Sequence, residues 1–203
     1  MRHAETELTA QKRYSGRGDV PLSARGRAQA EAVAARVAAL GAPVTAVVSS
    51  PLSRCTATAA AISVALGGVG VTVDSDLIEC DFGLWEGLTF AEVRERWPKE
   101  LTTWLESMSV APPAGESFEV VAHRARRAVG RLRAAHPAGR VVVVSHVTPL
   151  KLLLRDALSA GSLFLHRLYL DPCGISIVDS WPDGGVAVRT VNDTAHLALG
   201  QVG

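Results

Sequence analysis

Aromatic residues make up only 5% of this 203-residue chain, and lysine is nearly absent, with 3 Lys against 18 Arg. Charge of either sign is not in excess: 21 Lys and Arg stand against 20 Asp and Glu, a net charge of +1. That balance excludes the strongly basic footprint of a nucleic-acid-binding domain. The arginine skew, among many Ala, Val and Gly, fits a GC-rich coding bias and is no functional signal by itself. Cysteine is limited to Cys55, Cys80 and Cys173. An odd count without a C-x-x-C pair argues against a disulfide framework or a zinc site, and it fits a reducing cytoplasm. Residues 1–10 hold no apolar run of the kind a secretory signal needs. The longest uncharged apolar stretch, between Arg54 and Asp74, is broken by Thr58, Ser63, Gly67, Gly68 and Gly70. It reads as a helix followed by a strand, not as a membrane span.

What is present is ample apolar material, 48% of residues, in a length that favours one domain. No repeat, charge block or long linker divides it. Ser23 caps a predicted helix reaching Leu40, with Gly41 as its stop. A β-branched run predicts a strand over 44–48, and Pro51 suits the first turn of a helix to about Leu66. A second short strand follows at 69–73. Thr89 and Glu92 have capping-box spacing. Residues 112–115 read as a loop, and Ser117 caps a long helix to about Ala135. Four consecutive Val mark a strand over 140–144, after which Thr148 and Pro149 open another helix. Two β-rich runs, 175–181 and 186–191, flank Pro182-Asp183-Gly184-Gly185 and predict a terminal hairpin. Strands alternating with helices imply an α/β architecture, and unbroken Val runs imply parallel strands covered on both faces. Ligands of such sheets gather beyond the carboxyl ends of the strands.

Two strand ends are polar. After 44–48 comes Ser49-Ser50-Pro51-Leu52-Ser53-Arg54, which sets a guanidinium in a helix's first turn, where it matches an anion in charge and geometry. After 140–144 comes Ser145-His146, an imidazole entering a helix start. Taken alone, each also reads as an ordinary surface Arg or a buried structural His. The N-terminus adds Arg2-His3, so Arg2, His3, Arg54 and His146 can converge on one tetrahedral dianion. An imidazole that donates one nitrogen's proton to a backbone carbonyl keeps the other nitrogen free to attack phosphorus. The leaving alcohol then needs a proton. Glu79 is the candidate, with Asp81 as competitor, since burial near Phe82 and Trp85 raises a carboxyl pKa.

These residues resemble the histidine phosphatase superfamily, the phosphoglycerate-mutase-like fold. The resemblance rests on Arg2-His3-x-Glu5-Thr6, Tyr14-Ser15-Gly16 through Pro21-Leu22-Ser23, and Ser49-Ser50-Pro51-Leu52-x-Arg54. Further on it rests on Glu79-x-x-Phe82-Gly83-x-Trp85-Glu86-Gly87, Gly115-Glu116-Ser117 and Val144-Ser145-His146. It spans nearly the whole chain in the family's order. It implies a three-layer αβα sandwich with a mostly parallel central sheet, formed by residues 1–203 as one domain. It also implies that His3 becomes phosphohistidine, that Arg2, Arg54 and His146 grip phosphoryl oxygens, and that Glu79 is the acid. Ser15 and Gly16 match the loop at the substrate entrance. No metal or organic cofactor is implied.

Three departures stand out. Ala4 replaces the usual Gly, and Thr9 stands where many relatives carry a phosphate-contacting Asn. An apolar strand that relatives place before the Arg-His pair is missing, so the chain reads as a fragment or a domain of a longer protein. Motif spacing and the terminal Val191-Asn192-Asp193-Thr194-Ala195-His196-Leu197 resemble the α-ribazole phosphatase and broad-specificity acid phosphatase branch. The expected reaction is hydrolysis of a small phosphorylated metabolite, with α-ribazole 5′-phosphate as the candidate. Phosphoglycerate mutase chemistry and a catalytically silent phosphate-binding domain are the alternatives. The expected setting is cytoplasmic, without membrane or nucleic-acid contact by this domain. A homodimer and an upstream ribonuclease-H-like domain are the partners weighed.

Overall fold

The computed structural model describes residues 1–41 and 43–198. In chain order the helices are α1 (Glu7–Ala10), α2 (Ala24–Ala38), α3 (Ser53–Ala65), α4 (Phe90–Arg96) and α5 (Pro98–Glu106). They continue with α6 (Phe118–Ala135), α7 (Val147–Ala157), α8 (Phe164–Arg167) and α9 (Ala195–Ala198). The strands are β1 (Val44–Ser49), β2 (Val71–Val73), β3 (Arg140–Val144), β4 (Ile175–Ser180) and β5 (Val186–Asp193). Among these described residues no helix is long and apolar enough to cross a membrane.

The caps explain most boundaries. The Ser23 hydroxyl accepts from the Gly26 amide at 2.9 Å and starts α2. Ser117 does the same for α6 through the Val120 amide. Thr89 and Glu92 complete both halves of a capping box at α4. Gly41 takes φ +73° beyond the end of α2, a left-handed geometry that glycine adopts without a Cβ clash. One predicted start moves: α3 begins at Ser53, with Pro51 in the preceding turn. There the Asp19 carboxylate accepts from the Ser53 amide at 2.7 Å and supplies the cap that Leu52 cannot.

Strands β2, β1 and β3 form a parallel sheet in that order, while β4 and β5 form a separate antiparallel hairpin. Successive side chains of β1 leave on opposite faces. Val47 packs into a core with Val33, Val37, Ala59 and Ile62 from α2 and α3, whereas Val48 packs against Ala128 and Leu132 of α6. Helices on both faces make the α/β fold three-layered, as the Val runs predict. The continuous sheet is smaller than a fully covered one. β2 is exposed along its length, and Val141, Val142 and Val143 of β3 are only half-buried. Residues 1–3 reach β3 through a single parallel bridge, Arg2 to Ser145.

A second core lies under the loops beyond the strand ends. The chain has 4 Trp, 2 Tyr and 4 Phe. Tyr14, Phe82, Trp85, Trp104 and Phe118 stack on one another there, with ring centroids 4.8–6.3 Å apart. Burying each such side chain contributes roughly 1.5–3 kcal/mol, so the scarce aromatics are concentrated where loops lack a sheet to hold them.

Candidate active site

His3 follows β3's carboxyl end closely. Its amide donates to the Ser145 carbonyl at 2.9 Å, while the Ser145 amide donates to the Met1 carbonyl at 3.1 Å. The imidazole is 4% exposed. Its Nδ1 lies 2.6 Å from the Ala4 carbonyl, an acceptor only, so Nδ1 carries the proton and Nε2 keeps its lone pair. Burial, then the charges of Arg2 and Arg54, hold the His3 pKa well below 6.5. The ring is therefore neutral at neutral pH.

His146 caps α7 and faces His3 edge-on, with centroids 5.1 Å apart. Arg54 donates from Nε to His146 Nδ1 at 3.3 Å, which leaves Nε2–H to donate to the Ser50 hydroxyl at 2.6 Å. Burial and neighbouring positive charge also lower the His146 pKa well below 6.5. The rest of the Arg54 guanidinium is bound to carbonyl oxygens, at 2.7 Å to Gly16 and 2.8 Å to Gly18. Arg54 thus ties the loop carrying Ser15 and Gly16 to the start of α3 and orients His146. Gly16 is needed there for close approach: a Cβ would come within 2.5 Å of a Glu86 oxygen and 2.7 Å of the Cys80 carbonyl. Its amide donates to both Glu86 oxygens.

Glu79 follows a 3-10 turn, Ser75–Leu77. Its carboxylate accepts from the Cys80 amide at 2.7 Å and from the Thr148 amide, in the first turn of α7, at 3.2 Å. Burial raises its pKa above the usual 4.5 despite those donors. Behind it, Arg124 donates to the carbonyls of Asp76, Ile78 and Glu79 and grips Glu116 at 2.9 Å.

A cavity of about 250 Å³ is lined by Arg2, His3, Thr9, Ser15 and Glu79, all five predicted from sequence. Its outer wall is Tyr14, Phe82, Trp104, Phe118 and Leu165. Arg54, His146 and Gly16 stand behind this lining. Two buried polar atoms on the lining, Arg2 Nε and Ser15 Oγ, have no hydrogen-bond partner among the described residues. Arg2 spends one terminal nitrogen on the Leu170 carbonyl at 2.6 Å. The Thr9 hydroxyl lies 3.0 Å from that of Thr6, at the cap of α1. Ala4 is fully buried and donates from its amide to Thr58. Among the described residues no group of three or more His, Cys, Asp or Glu is placed to hold a metal ion.

Sequence reading missed Lys151 and Arg124. Lys151 lines the cavity, donates to the Leu165 carbonyl at 2.7 Å, and has its pKa lowered by burial and by Arg2. Its place one turn into the helix after His146 is the signal that could have found it. Arg124 looks like any other arginine of α6, and only the tertiary fold shows its carbonyl partners. His166 also lines the cavity, against Trp104.

A buried neutral imidazole, a guanidinium and a raised carboxyl line one cavity on an α/β frame, with a second, paired imidazole behind them. The chain belongs to the histidine phosphatase superfamily (branch 1), whose family model matches residues 1–194. It is 49% identical over 197 residues to Bifunctional protein Rv2228c of Mycobacterium tuberculosis, covering 97% of this chain and 54% of that protein. The chain thus spans about half the length of those curated relatives. It is 33% identical over 204 residues to the Salmonella arizonae protein named Probable phosphoglycerate mutase GpmB, covering 97% of this chain and 93% of that one. Among solved structures it resembles mycobacterial glucosyl-3-phosphoglycerate phosphatase Rv2419c, with TM-score 0.85 and 29% identity over 95% of this chain and 97% of that one. The α-ribazole phosphatase of Shigella flexneri shares the fold, with TM-score 0.81 at 24% identity over 95% of this chain and 94% of that one.

Proposed function

We propose that this site hydrolyses a small phosphomonoester through a phosphohistidine at His3. The observation that carries the reading is the His3 tautomer: Nδ1 is committed to the Ala4 carbonyl, and Nε2 is left as a nucleophile in the cavity that Arg2 and Glu79 share. Nε2 attacks phosphorus, the ester P–O bond breaks, and the protonated Glu79 gives its proton to the departing alkoxide oxygen. Water then attacks the phosphohistidine, the N–P bond breaks, and Glu79 recovers a proton from that water. Arg2 and the Nε2–H of His146 hold the phosphoryl oxygens through the transition state, the His146 proton swinging away from Ser50. Arg54 adds positive field and keeps His146 in register. A carboxyl raised by burial suits the acid role, because it stays protonated closer to neutral pH. The intact set of Arg2, His3 and Glu79 argues against a silent binding domain.

The substrate's alcohol faces an aromatic wall, which supports a ring-bearing ester such as α-ribazole 5′-phosphate. Lys151 favours a second reading, a substrate with a carboxylate beside its phosphate, as in phosphoglycerates. Turnover of p-nitrophenyl phosphate without added metal, and its loss in His3→Ala, tests the reaction. Alkaline-quench trapping of radiolabelled protein tests the intermediate. Undiminished turnover in His3→Ala refutes the nucleophile. A panel of α-ribazole 5′-phosphate, sugar phosphates and phosphoglycerates separates the substrates, and Lys151→Met lowers kcat/KM about tenfold only for a carboxylate-bearing one.

A further inference from the structure

The terminal stretch 191–197 contributes no side chain to the lining of the phosphoryl cavity. It begins where the β4–β5 ladder is irregular. Thr190 pairs with Ile177 and Asp193 with Ile175, so two residues of β5 stand opposite one of β4. A bulge of this kind re-aims a side chain. Here it sets Asn192 at φ +55°, a left-handed conformation that asparagine adopts more readily than most residues. The Asn192 amide donates to Ser176 Oγ at 3.1 Å and fixes the bend.

The re-aimed side chain clasps Asp171 at two points. Its Oδ1 accepts from the Asp171 amide at 2.8 Å, and its Nδ2 donates to the Asp171 carboxylate at 2.7 Å. Chemistry fixes that orientation, since a backbone N–H only donates and a carboxylate only accepts. Gly174 closes over the same side chain, where a Cβ would stand 2.1 Å from Asn192 Oδ1. Between these contacts the chain turns through Cys173, buried and at φ +60°. That turn holds Arg2. The Cys173 amide donates to the Arg2 carbonyl at 3.2 Å, and the Gly174 carbonyl accepts from the Arg2 amide at 3.4 Å. The Leu170 carbonyl accepts from the Arg2 guanidinium at 2.6 Å. Next to Asn192, Asp193 pairs with Arg36 of α2 at 3.2 Å and ties the bulge to the body of the fold.

We propose that Asn192 is a positioning residue for the phosphoryl site: by clasping Asp171 it sets the turn 170–174, and that turn aims the Arg2 guanidinium. The inference rests on the phosphoryl role given to Arg2 above. Asn192 itself touches no substrate. A non-glycine residue at positive φ, such as Cys173, persists only while its surroundings over-determine it. Opening the clasp lets the turn relax, and the Leu170 carbonyl moves with the guanidinium it holds.

Exchanging the partners tests this. Asn192→Asp sets two carboxylates against each other and should weaken inorganic phosphate binding and lower kcat/KM for p-nitrophenyl phosphate, each about tenfold or more. Asp171→Asn leaves the clasp closed, because an amide oxygen still accepts from Nδ2, and should stay within about threefold of the parent. Combining the two substitutions closes the clasp again with donor and acceptor exchanged, and should restore both readouts to within about threefold. In an Arg2→Met background, Asn192→Asp should change kcat/KM by less than about twofold, since it acts through Arg2; a purely structural contribution would carry its full factor over. If Asn192→Asp does not fold, Asn192→Gly opens the clasp, accepts the left-handed φ, and takes the same comparison. Calorimetric phosphate affinity keeps this separate from hydrolysis. A parent that binds phosphate but cleaves no ester refutes the hydrolytic reading, and the affinities of Asn192→Asp and of the double variant still decide the role of Asn192. Three results overturn the proposal: parent-like phosphate affinity in Asn192→Asp, a double variant no better than Asn192→Asp alone, or an undiminished factor in the Arg2→Met background.

Discussion

Replacing Arg124 by Met tests how the acid loop is held. Arg124 is 6% exposed and donates to three carbonyls in residues 76–79 and to both oxygens of Glu116. The variant keeps the side chain's bulk and removes its charge and its fork of donors. Glu116, with a side chain 10% exposed, is left with the Asp81 amide and with Arg17, itself 43% exposed. Breaking a buried pair from one side costs about 3–5 kcal/mol. At about 2–4 °C per kcal/mol for a chain of this size, the Tm should fall by roughly 10 °C. The loss has a definite pH dependence. Burial pushes the Glu116 carboxyl up, but Arg124 and Arg17 outweigh it and hold the pKa below 4.5. A depressed folded pKa contributes stability that is full above about pH 4.5 and lost as pH falls through the folded value. The gap between parent and variant is therefore widest near neutrality and narrows towards pH 3. Displacement of Glu79 lowers kcat about tenfold or more, because a misplacement of ~1 Å at a reacting group can cost ~10²-fold. Adding Glu116→Gln to the variant should restore part of the stability and little of the activity. Scanning calorimetry and p-nitrophenyl phosphate kinetics read both effects. An Arg124→Met protein melting within 2 °C of the parent with unchanged kcat would refute this account of the loop.

Other expectations follow from the same geometry. His3 and His146 are held neutral below the ordinary 6.5, so the unfolded chain binds protons that the folded one refuses. Stability then falls as pH drops below about 6.5, by up to ~1.4 kcal/mol per pH unit for each histidine, and a urea midpoint that stays flat between pH 7 and 5.5 would contradict it. Glu79 works oppositely: its raised folded pKa makes its contribution present below about 4.5 and lost as pH rises through the folded value. Glu79→Gln should lower kcat at least 100-fold while raising Tm at pH 8 relative to the parent, and a variant less stable there at alkaline pH would reverse the sign. Gly16→Ala forces a Cβ against Glu86 and the Cys80 carbonyl and should raise KM severalfold by shifting the entrance loop, measurable with p-nitrophenyl phosphate.

Much of this was legible in the sequence because capping and strand runs are local. Ser23, Thr89 and Ser117 open helices where their side chains reach the right amides, and the Val runs at β1 and β3 are strands. The convergence of Arg2, His3, Thr9, Ser15 and Glu79 on one cavity was legible for a different reason: each stands in a motif. What was not legible depends on where a side chain spends its donors. Arg54 read as a direct phosphoryl clamp, yet its fork lies on the carbonyls of Gly16 and Gly18. The helix start expected at Pro51 moved to Ser53 because a distant Asp19 supplies the cap. Lys151 and Arg124 carry no motif, and their partners come from segments far along the chain.

Cys55 lies behind this chemistry with its sulfur 3.4 Å from Nε2 of His146, the spacing at which a thiol and an imidazole could make a reactive pair. Here enclosure by apolar neighbours keeps the thiol protonated far beyond neutral pH, and the ring beside it is already engaged by Arg54 and Ser50. Because Cys55 is fully buried as well, its thiol should resist peroxide and alkylating reagents in the folded protein and become reactive if the packing around α3 loosens.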